Sequence, residues 1–511
     1  MRMVDSGPSV SRSSNAKAPK QLVKPNILGY DSLMNAVFSR RRTTVWLNAL
    51  IVLVGVVAAV VLAWAVFFRP AFADQLIAIS AIGLTLALVY FDPLLAFLIW
   101  LFFIPFAPFW RFDLHMPAGI PDLSYARVVG SVLTVYLVAQ IALGRRKFMT
   151  ITFFELAVPF FVIPLLYAAA RSYHGPVAGL QEAFDAYLMP LLVYFIARQL
   201  IVRPEDMQKF AKTMAIIASI IAIAAIIEQF TGFAPFRFGS GAKIYTGEIR
   251  KVGSFLGNPA YVGLALALVV PLVMMLIIEA QGTIEKVGYL FILAILEMGI
   301  VATFNRSAML GGTIGPLVLS FLNRRLWKYV LLILLIIALV LGLSWSLLKD
   351  TSVSTRLGAE SPIDYRIEAI EIGMNIHRTA PFLGVGFGWF GRLAVDKGFW
   401  ETGNIHVLPT THNTYLNFLV SGGYALLGGY GVLILGLGAT LIAVGWPRRK
   451  NRRFFPLYIQ VGLAMFFVYF IPIAFFDNIY ARYASMIFFA SMGGIISATL
   501  NSSSPSSPTG G

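Results

Sequence analysis

The residues whose type and position suit chemistry are few, and most lie in the second half of the chain. His412 stands in Thr410-Thr411-His412-Asn413-Thr414-Tyr415-Leu416, where a polar stretch gives way to an apolar run. A neutral imidazole at such a mouth can take a proton from a hydroxyl near neutral pH. The alternative is a histidine satisfied within the packing. Arg306 stands in Asn305-Arg306-Ser307 between two apolar runs, with almost no loop around it. An arginine at the edge of hydrocarbon is costly unless it is paired, snorkels to the interface or is used. Glu297, roughly two turns earlier, is a candidate partner. Arg366 and Arg250 fall in polar segments on the same predicted side, and each could pair with a nearby carboxylate, Glu371 or Glu248. Taken together, the three guanidiniums would make an anion site suited to a diphosphate, because their planar forks bind phosphate oxygens in pairs.

The elements that must position these groups can be read from spacing. Residues 349–413 form the longest polar stretch within the apolar part of the chain. Inside it a helix is predicted from Pro362 to about His377, with Ser361 as N-cap, Pro362 at the first helical position and Asp364 three residues after the cap. Ile363, Ile367, Ile370 and Met374 recur at helical spacing on it. That stripe predicts a helix lying on a membrane surface or on the tops of other helices. The run Pro381-Phe382-Leu383-Gly384-Val385-Gly386-Phe387-Gly388-Trp389-Phe390-Gly391 follows, and its glycines permit sharp turns and close backbone approach. It is not a nucleotide loop: no strand leads in and no Lys-Ser/Thr pair follows.

Composition sets the surroundings. Hydrophobic residues make up 58% of the chain and charged residues 13%, which excludes an ordinary soluble protein. Apolar runs long enough to cross a bilayer follow one another from Val45 to about Leu500. They lack the alternation of barrel strands, so the expected fold is all-α, a polytopic integral membrane protein of about 12 to 14 transmembrane helices. The net charge of +16 does not indicate nucleic acid, because the basic residues gather in short loops between apolar runs. The absence of cysteine excludes disulfides, thiolate nucleophiles and cysteine-ligated metal. With only five histidines a histidine-rich metal site is not expected either.

Fourteen spans are predicted, at 45–67, 75–91, 94–109, 126–144, 153–170, 185–201, 213–230, 257–278, 286–303, 308–322, 327–347, 414–444, 455–475 and 479–499. The third and tenth are short enough for half-spans, and the twelfth is long enough to tilt or to break at Gly422-Gly423 or Gly428-Gly429. Alternating sides place 24 of the 40 Lys and Arg with the N-terminal tail. The positive-inside rule then puts both termini in the cytoplasm and the long segment outside. The expected organisation is a disordered basic tail (1–43), helices 1–11 (44–347), an outer segment (348–413), helices 12–14 (414–500) and a Ser/Pro/Gly tail (501–511). Glu228 and Glu297 fall near membrane depth, as satisfied structural carboxylates or as parts of a proton or ion path.

Several of these motifs occur together in a known order. Arg250 ahead of Gly253-Ser254-Phe255-Leu256-Gly257-Asn258-Pro259, then Asn305-Arg306-Ser307, Arg366 ahead of the 381–388 glycine run, and His412-Asn413-Thr414-Tyr415-Leu416 with Gly422-Gly423 resemble the O-antigen ligase and polymerase superfamily of bacterial envelope proteins. The match is best over about residues 210–445. The family often has Ser where Asn305 stands, and about twelve spans are usual in it.

The resemblance implies a metal-independent glycosyltransferase without a cofactor, of the lipid-sugar transferase fold. It would join a glycan from undecaprenyl diphosphate to an acceptor hydroxyl at the periplasmic face of the bacterial inner membrane. It implies that Arg306 and Arg366, with Arg250 adding to them, hold the diphosphate and that His412 acts as base or orients the acceptor. Asn413, Tyr415 and Asn258 would be substrate-binding. Implied partners are the lipid-linked donor, a glycan or lipid acceptor, membrane lipid, and a chain-length regulator or flippase. No nucleic acid is expected. No motif names the acceptor, so ligase and polymerase both stand, with polymerase slightly favoured. The competing classes are a membrane transporter of a small anion or solute, which Glu228 and Glu297 would serve but for which no internal repeat is evident, and an assembly scaffold.

Overall fold

The computed structural model describes residues 70–110, 124–234, 252–331, 361–398, 411–446, 455–476 and 481–502, together with 335, 339 and 342. Contacts divide the chain into units of residues 1–73 and 74–511, and all but the first four described residues belong to the second. Every regular element among them is helical, as expected where backbone polar groups have no water to bond with.

In chain order the helices are α1 (Pro70–Phe91), α2 (Pro93–Phe103), α3 (Tyr125–Ala142), α4 (Phe153–Ala170), α5 (Pro176–Leu200), α6 (Pro204–Thr231), α7 (Pro259–Glu279), α8 (Thr283–Ala302), α9 (Arg306–Leu322), α10 (Ser361–His377), α11 (Trp389–Asp396), α12 (Thr414–Gly445), α13 (Leu457–Phe470) and α14 (Arg482–Ser502). Eight of these, α3 to α7 and α12 to α14, are long and apolar enough to cross a membrane. The chain is therefore a multi-pass membrane protein. Helix α8 has the length, but it also carries Glu285, Lys286 and Glu297. The predicted spans at 75–91, 94–109 and 308–322 are present as shorter apolar helices, whereas 45–67 and most of 327–347 lie outside the described residues.

Helix α7 is the centre of the packing. It is apolar all round, and α6, α8, α9, α13 and α14 pack against it. A helix with no polar face has to be enclosed in this way or face lipid. Small residues decide how closely its neighbours come: a β-carbon at Gly263 would run into Ala308 of α9, and one at Gly299 of α8 into Ala222 of α6. Helix α12 lies along α4, and α14 along α5. There a β-carbon on Gly429 would meet the backbone of Phe160, and one on Gly493 the carbonyl of Tyr194.

Candidate functional site

The first wall of the site is the start of α9. Asn305 caps the helix, its Oδ1 accepting from the N–H of Ala308 at 2.9 Å, and Phe304 ahead of it has a φ of +47°. An Asn cap satisfies an end N–H that would otherwise lack a partner, so the helix begins on Arg306. With Ala308 pressed against Gly263, Arg306 and Ser307 sit at the end of the central packing.

The second wall is the start of α12, built the same way. Asn413 is the cap, its Oδ1 accepting from the N–H groups of Tyr415 at 2.9 Å and Leu416 at 3.1 Å. His412 precedes it with a φ of +47°, a left-handed conformation that costs a non-glycine residue roughly 1–3 kcal/mol. The third wall follows from the end of α13. There Pro472 begins a tight turn, Pro472–Phe475, and the carbonyl of Phe470 accepts from the Tyr415 hydroxyl at 2.6 Å. Thr414 donates to the Phe476 carbonyl at 2.9 Å. These two bonds hold α12 against the turn that supplies Ala474 and Phe475 to the site.

The fourth wall is α10, and a break in α12 fixes it. Gly423 has a φ of +63° and a ψ of −159° inside α12, so the helix opens at one of the two places the glycine pairs allowed. Freed backbone groups on both sides of the break bond to the glycine-rich loop. Val385 and Gly386 donate to the carbonyls of Val420 and Ser421 at 3.0 and 2.8 Å, and Tyr424 and Ala425 donate to those of Pro381 and Phe382 at 2.9 and 3.0 Å. The loop is tied to α4 as well, through Phe387 N–H to the Ala168 carbonyl and Arg171 Nη1 to the Gly384 carbonyl. Helix α10 then packs Ala369, Ile372 and Ile376 against Leu416 and Val420 of α12 and Phe390 and Ala394 of α11.

That packing shows which face of α10 meets the other helices. The isoleucine stripe, as far as Ile367, Ile370 and Met374 show it, is exposed, and the face packed on α11 and α12, Ala369, Ile372 and Ile376 with Gly373 at its edge, is on roughly the opposite side of the helix. A β-carbon at Gly373 would lie 2.8 Å from Leu416. Close approach at a glycine outweighed the larger isoleucines, and the turned helix directs Arg366, Ile367 and Ile370 to the cavity.

The cavity has a volume of about 540 Å³, within the usual range for small-molecule sites. Arg306, Ser307 and Leu310 come from α9 and Arg366, Ile367 and Ile370 from α10. Thr411, His412 and Asn413 precede α12, and Ala474 and Phe475 close the remaining side. No carboxylate is among these residues. Burial, and then the charge of Arg306, lower the pKa of Arg366 from its ordinary value, though a guanidinium remains charged at neutral pH. Burial, and then the charge of Arg366, hold the His412 imidazole below its usual value of 6.5, so it is neutral at pH 7. Two guanidiniums and two helix N-termini thus face a space edged by apolar side chains, a setting that favours an anion. A neutral imidazole stands beside it.

Four of the residues singled out from the sequence therefore meet in one cavity: Arg306, Arg366, His412 and Asn413. Arg250 lies outside the described residues. Asn258 and Tyr415 do not line the cavity; Asn258 caps α7, accepting from Ala260 N–H at 2.9 Å, and Tyr415 holds the wall as described. Glu228 accepts from the N–H groups of Gly253 and Ser254, at 3.2 and 2.7 Å, and so fastens the loop ahead of α7. Glu297 is buried, and its Oε1 has no hydrogen-bond partner among the described residues.

A neighbouring cavity of about 330 Å³ was not anticipated. Its charged lining residues are Asp185 and Arg482; Asp185 accepts from Arg127 Nε and Nη2 at 2.8 and 2.6 Å and from Arg482 Nη1 at 3.0 Å. Asp185 sits in a widened turn, Phe184–Leu188, close to Pro190, which lacks the N–H of a regular turn. That Asp and Pro lie five residues apart inside an apolar run is the only trace of this cluster in the sequence. Among the described residues no group of three or more His, Asp or Glu is placed to hold a metal ion.

Residues 289–431 match the family described as O-antigen ligase, a range that runs from α8 to the middle of α12 and contains all four of the convergent residues. This supports placing the chain in the O-antigen ligase and polymerase superfamily. No curated protein matches the chain.

Proposed function

We propose, from the O-antigen ligase match over residues 289–431, that the chain joins a glycan carried on undecaprenyl diphosphate to an acceptor hydroxyl at the periplasmic face of the inner membrane, with both termini cytoplasmic. The observation that carries this reading is the meeting of Arg306, Arg366 and His412 in one cavity.

In this reaction the acceptor oxygen attacks the anomeric carbon, and the bond from that carbon to the diphosphate oxygen breaks. Negative charge grows on the departing diphosphate, where Arg306, Arg366 and the N-terminus of α9 stabilise it; such preorganised donors are typically worth about 10²–10³ in rate each. His412, kept neutral by burial and by Arg366, takes the proton of the acceptor hydroxyl. The apolar residues Leu310, Ile367, Ile370 and Phe475 at the same cavity suit the first isoprene units of the carrier. Attack opposite the leaving group inverts the anomeric carbon. Guanidinium cations supply the positive charge, so the reaction as proposed needs no metal ion. Arg250 is proposed as a further cation toward the diphosphate, and either a polymerase or a ligase acceptor is compatible with the site.

The test uses the full-length protein with an undecaprenyl-diphosphate-linked glycan. His412→Ala should abolish glycan transfer while undecaprenyl diphosphate still binds, and Arg306→Ala should weaken that binding. Transfer at the unmodified rate by His412→Ala would remove the base from the scheme.

A further inference from the structure

A third cavity, of about 400 Å³, lies between the segment joining α3 to α4 and the C-terminal ends of α5 and α14. It is at the other end of the helices from the site above. Helix α14 begins at Arg482, beside the Asp185 cluster, and reaches Asn501 in this cavity; its 21 residues rise about 30 Å.

The polar side chains here are arranged as a cradle with cations to spare. Arg198 is already committed, Nε donating to Glu155 Oε1 at 3.2 Å and Nη2 to the Thr150 carbonyl at 2.6 Å, so the nearest carboxylate is taken. Among the described residues Arg146 uses only Nη1, on the Gln199 carbonyl at 2.9 Å, and a guanidinium has five N–H donors. Lys147 is exposed and in no ion pair among the described residues. The side-chain Nε2 of Gln199 is buried without a hydrogen-bond partner among the described residues, although a buried donor left unmatched is destabilising. Gln199 lines the cavity, and a turn of its side chain toward that space would offer this donor to an acceptor from outside the chain.

The surroundings say what kind of molecule brings that acceptor. Leu143, Phe148, Ile151 and Phe153 flank the cations and are 65%, 60%, 57% and 57% exposed. Basic groups interleaved with exposed aromatic and aliphatic side chains belong at the level of lipid headgroups, where chains face hydrocarbon and cations face phosphate. We infer that this cavity holds the headgroup phosphate of an anionic phospholipid of the leaflet opposite the proposed transfer site. Arg146 and Lys147 contact its oxygens, Gln199 Nε2 donates a third bond, and the acyl chains lie along Phe148, Ile151 and Phe153. The inference does not depend on the glycan chemistry.

The experiment is lipid retention by the full-length protein in phosphatidylcholine nanodiscs doped with phosphatidylglycerol, read by native mass spectrometry. Lys147→Gln, and the double variant Arg146→Gln/Lys147→Gln, should lower phosphatidylglycerol affinity about 5-fold and about 30-fold. Gln199→Leu leaves the charge unchanged and should still weaken retention several-fold, because it removes the third donor. Arg324→Gln/Arg325→Gln removes the same charge elsewhere and should change retention little. Equal losses from both double variants, or full retention by Gln199→Leu, would reduce the effect to net charge and overturn the built site. Displacement of the lipid by millimolar inorganic phosphate would show that a free anion is the true occupant and overturn the lipid assignment.

Discussion

Replacing Arg366 by Gln tests the site most sharply, because Arg366 has two separable jobs there. In the proposed function it shares the diphosphate with Arg306, and its charge helps hold His412 neutral. For the first, a hydrogen bond to a charged group is worth about 1.5–3 kcal/mol, so donor affinity should fall roughly 10- to 150-fold. If the bond strengthens as the diphosphate leaves, kcat should fall further, toward the 10²–10³ of a lost oxyanion donor. For the second, the sign follows from the causes. The folded His412 lies below 6.5, held down by burial and by Arg366. The acidic limb of kcat/KM therefore lies below pH 6.5 in the unmodified enzyme and moves up toward that value once Arg366 is neutral. The assay is initial-rate glycan transfer from the undecaprenyl-diphosphate donor between pH 5 and 8, with undecaprenyl diphosphate binding measured separately. A loss of rate with an unmoved acidic limb, or one that moves down, would refute the electrostatic coupling of Arg366 to the base. An unchanged kcat/KM would refute the anion site itself.

Three further outcomes follow from the same structure. Gly423→Ala places a β-carbon against the backbone of Pro381 and Phe382 at a φ of +63°. It should cost about 1–2 kcal/mol in strain alone and reduce transfer at least tenfold by releasing α10, with membrane insertion retained; wild-type activity would separate the loop from the site. Asp185→Ala strips the shared partner of Arg127 and Arg482, and breaking a mostly buried pair costs about 3–5 kcal/mol, so thermal unfolding in detergent should move down by several degrees. Glu297→Gln replaces a buried carboxyl whose Oε1 lacks a partner among the described residues by an amide of the same size, and should preserve transfer with little change in thermal stability. Loss of transfer with intact folding would instead give that carboxyl a part in the transfer reaction.

The sequence by itself determined the solvent of this chain and singled out the polar groups that meet in one cavity. Apolar runs of membrane length require helices, whatever packs against them, and Arg306, Arg366 and His412 stand out among the few polar residues that interrupt or border those runs. Asn305, Asn413 and Asn258 each cap a helix in the structure, a role the sequence reading did not give them although capping is decided within three or four residues and each stands ahead of an apolar run. The choice between Gly422-Gly423 and Gly428-Gly429 was not. Gly429 is taken up by close contact with α4, and only the loop at 381–386 offers partners for the backbone groups freed at Gly423. Nor could spacing rank the two faces of α10, since the isoleucine stripe gives the stronger pattern while Gly373 gives the closer approach to Leu416. The tertiary structure likewise committed the Tyr415 hydroxyl to the Phe470 carbonyl and brought Asp185 between arginines 58 and 297 positions away. Local order depends on neighbours in the chain and can be read there; which surfaces touch depends on a comparison of all available contacts, and a sequence does not contain that comparison in readable form.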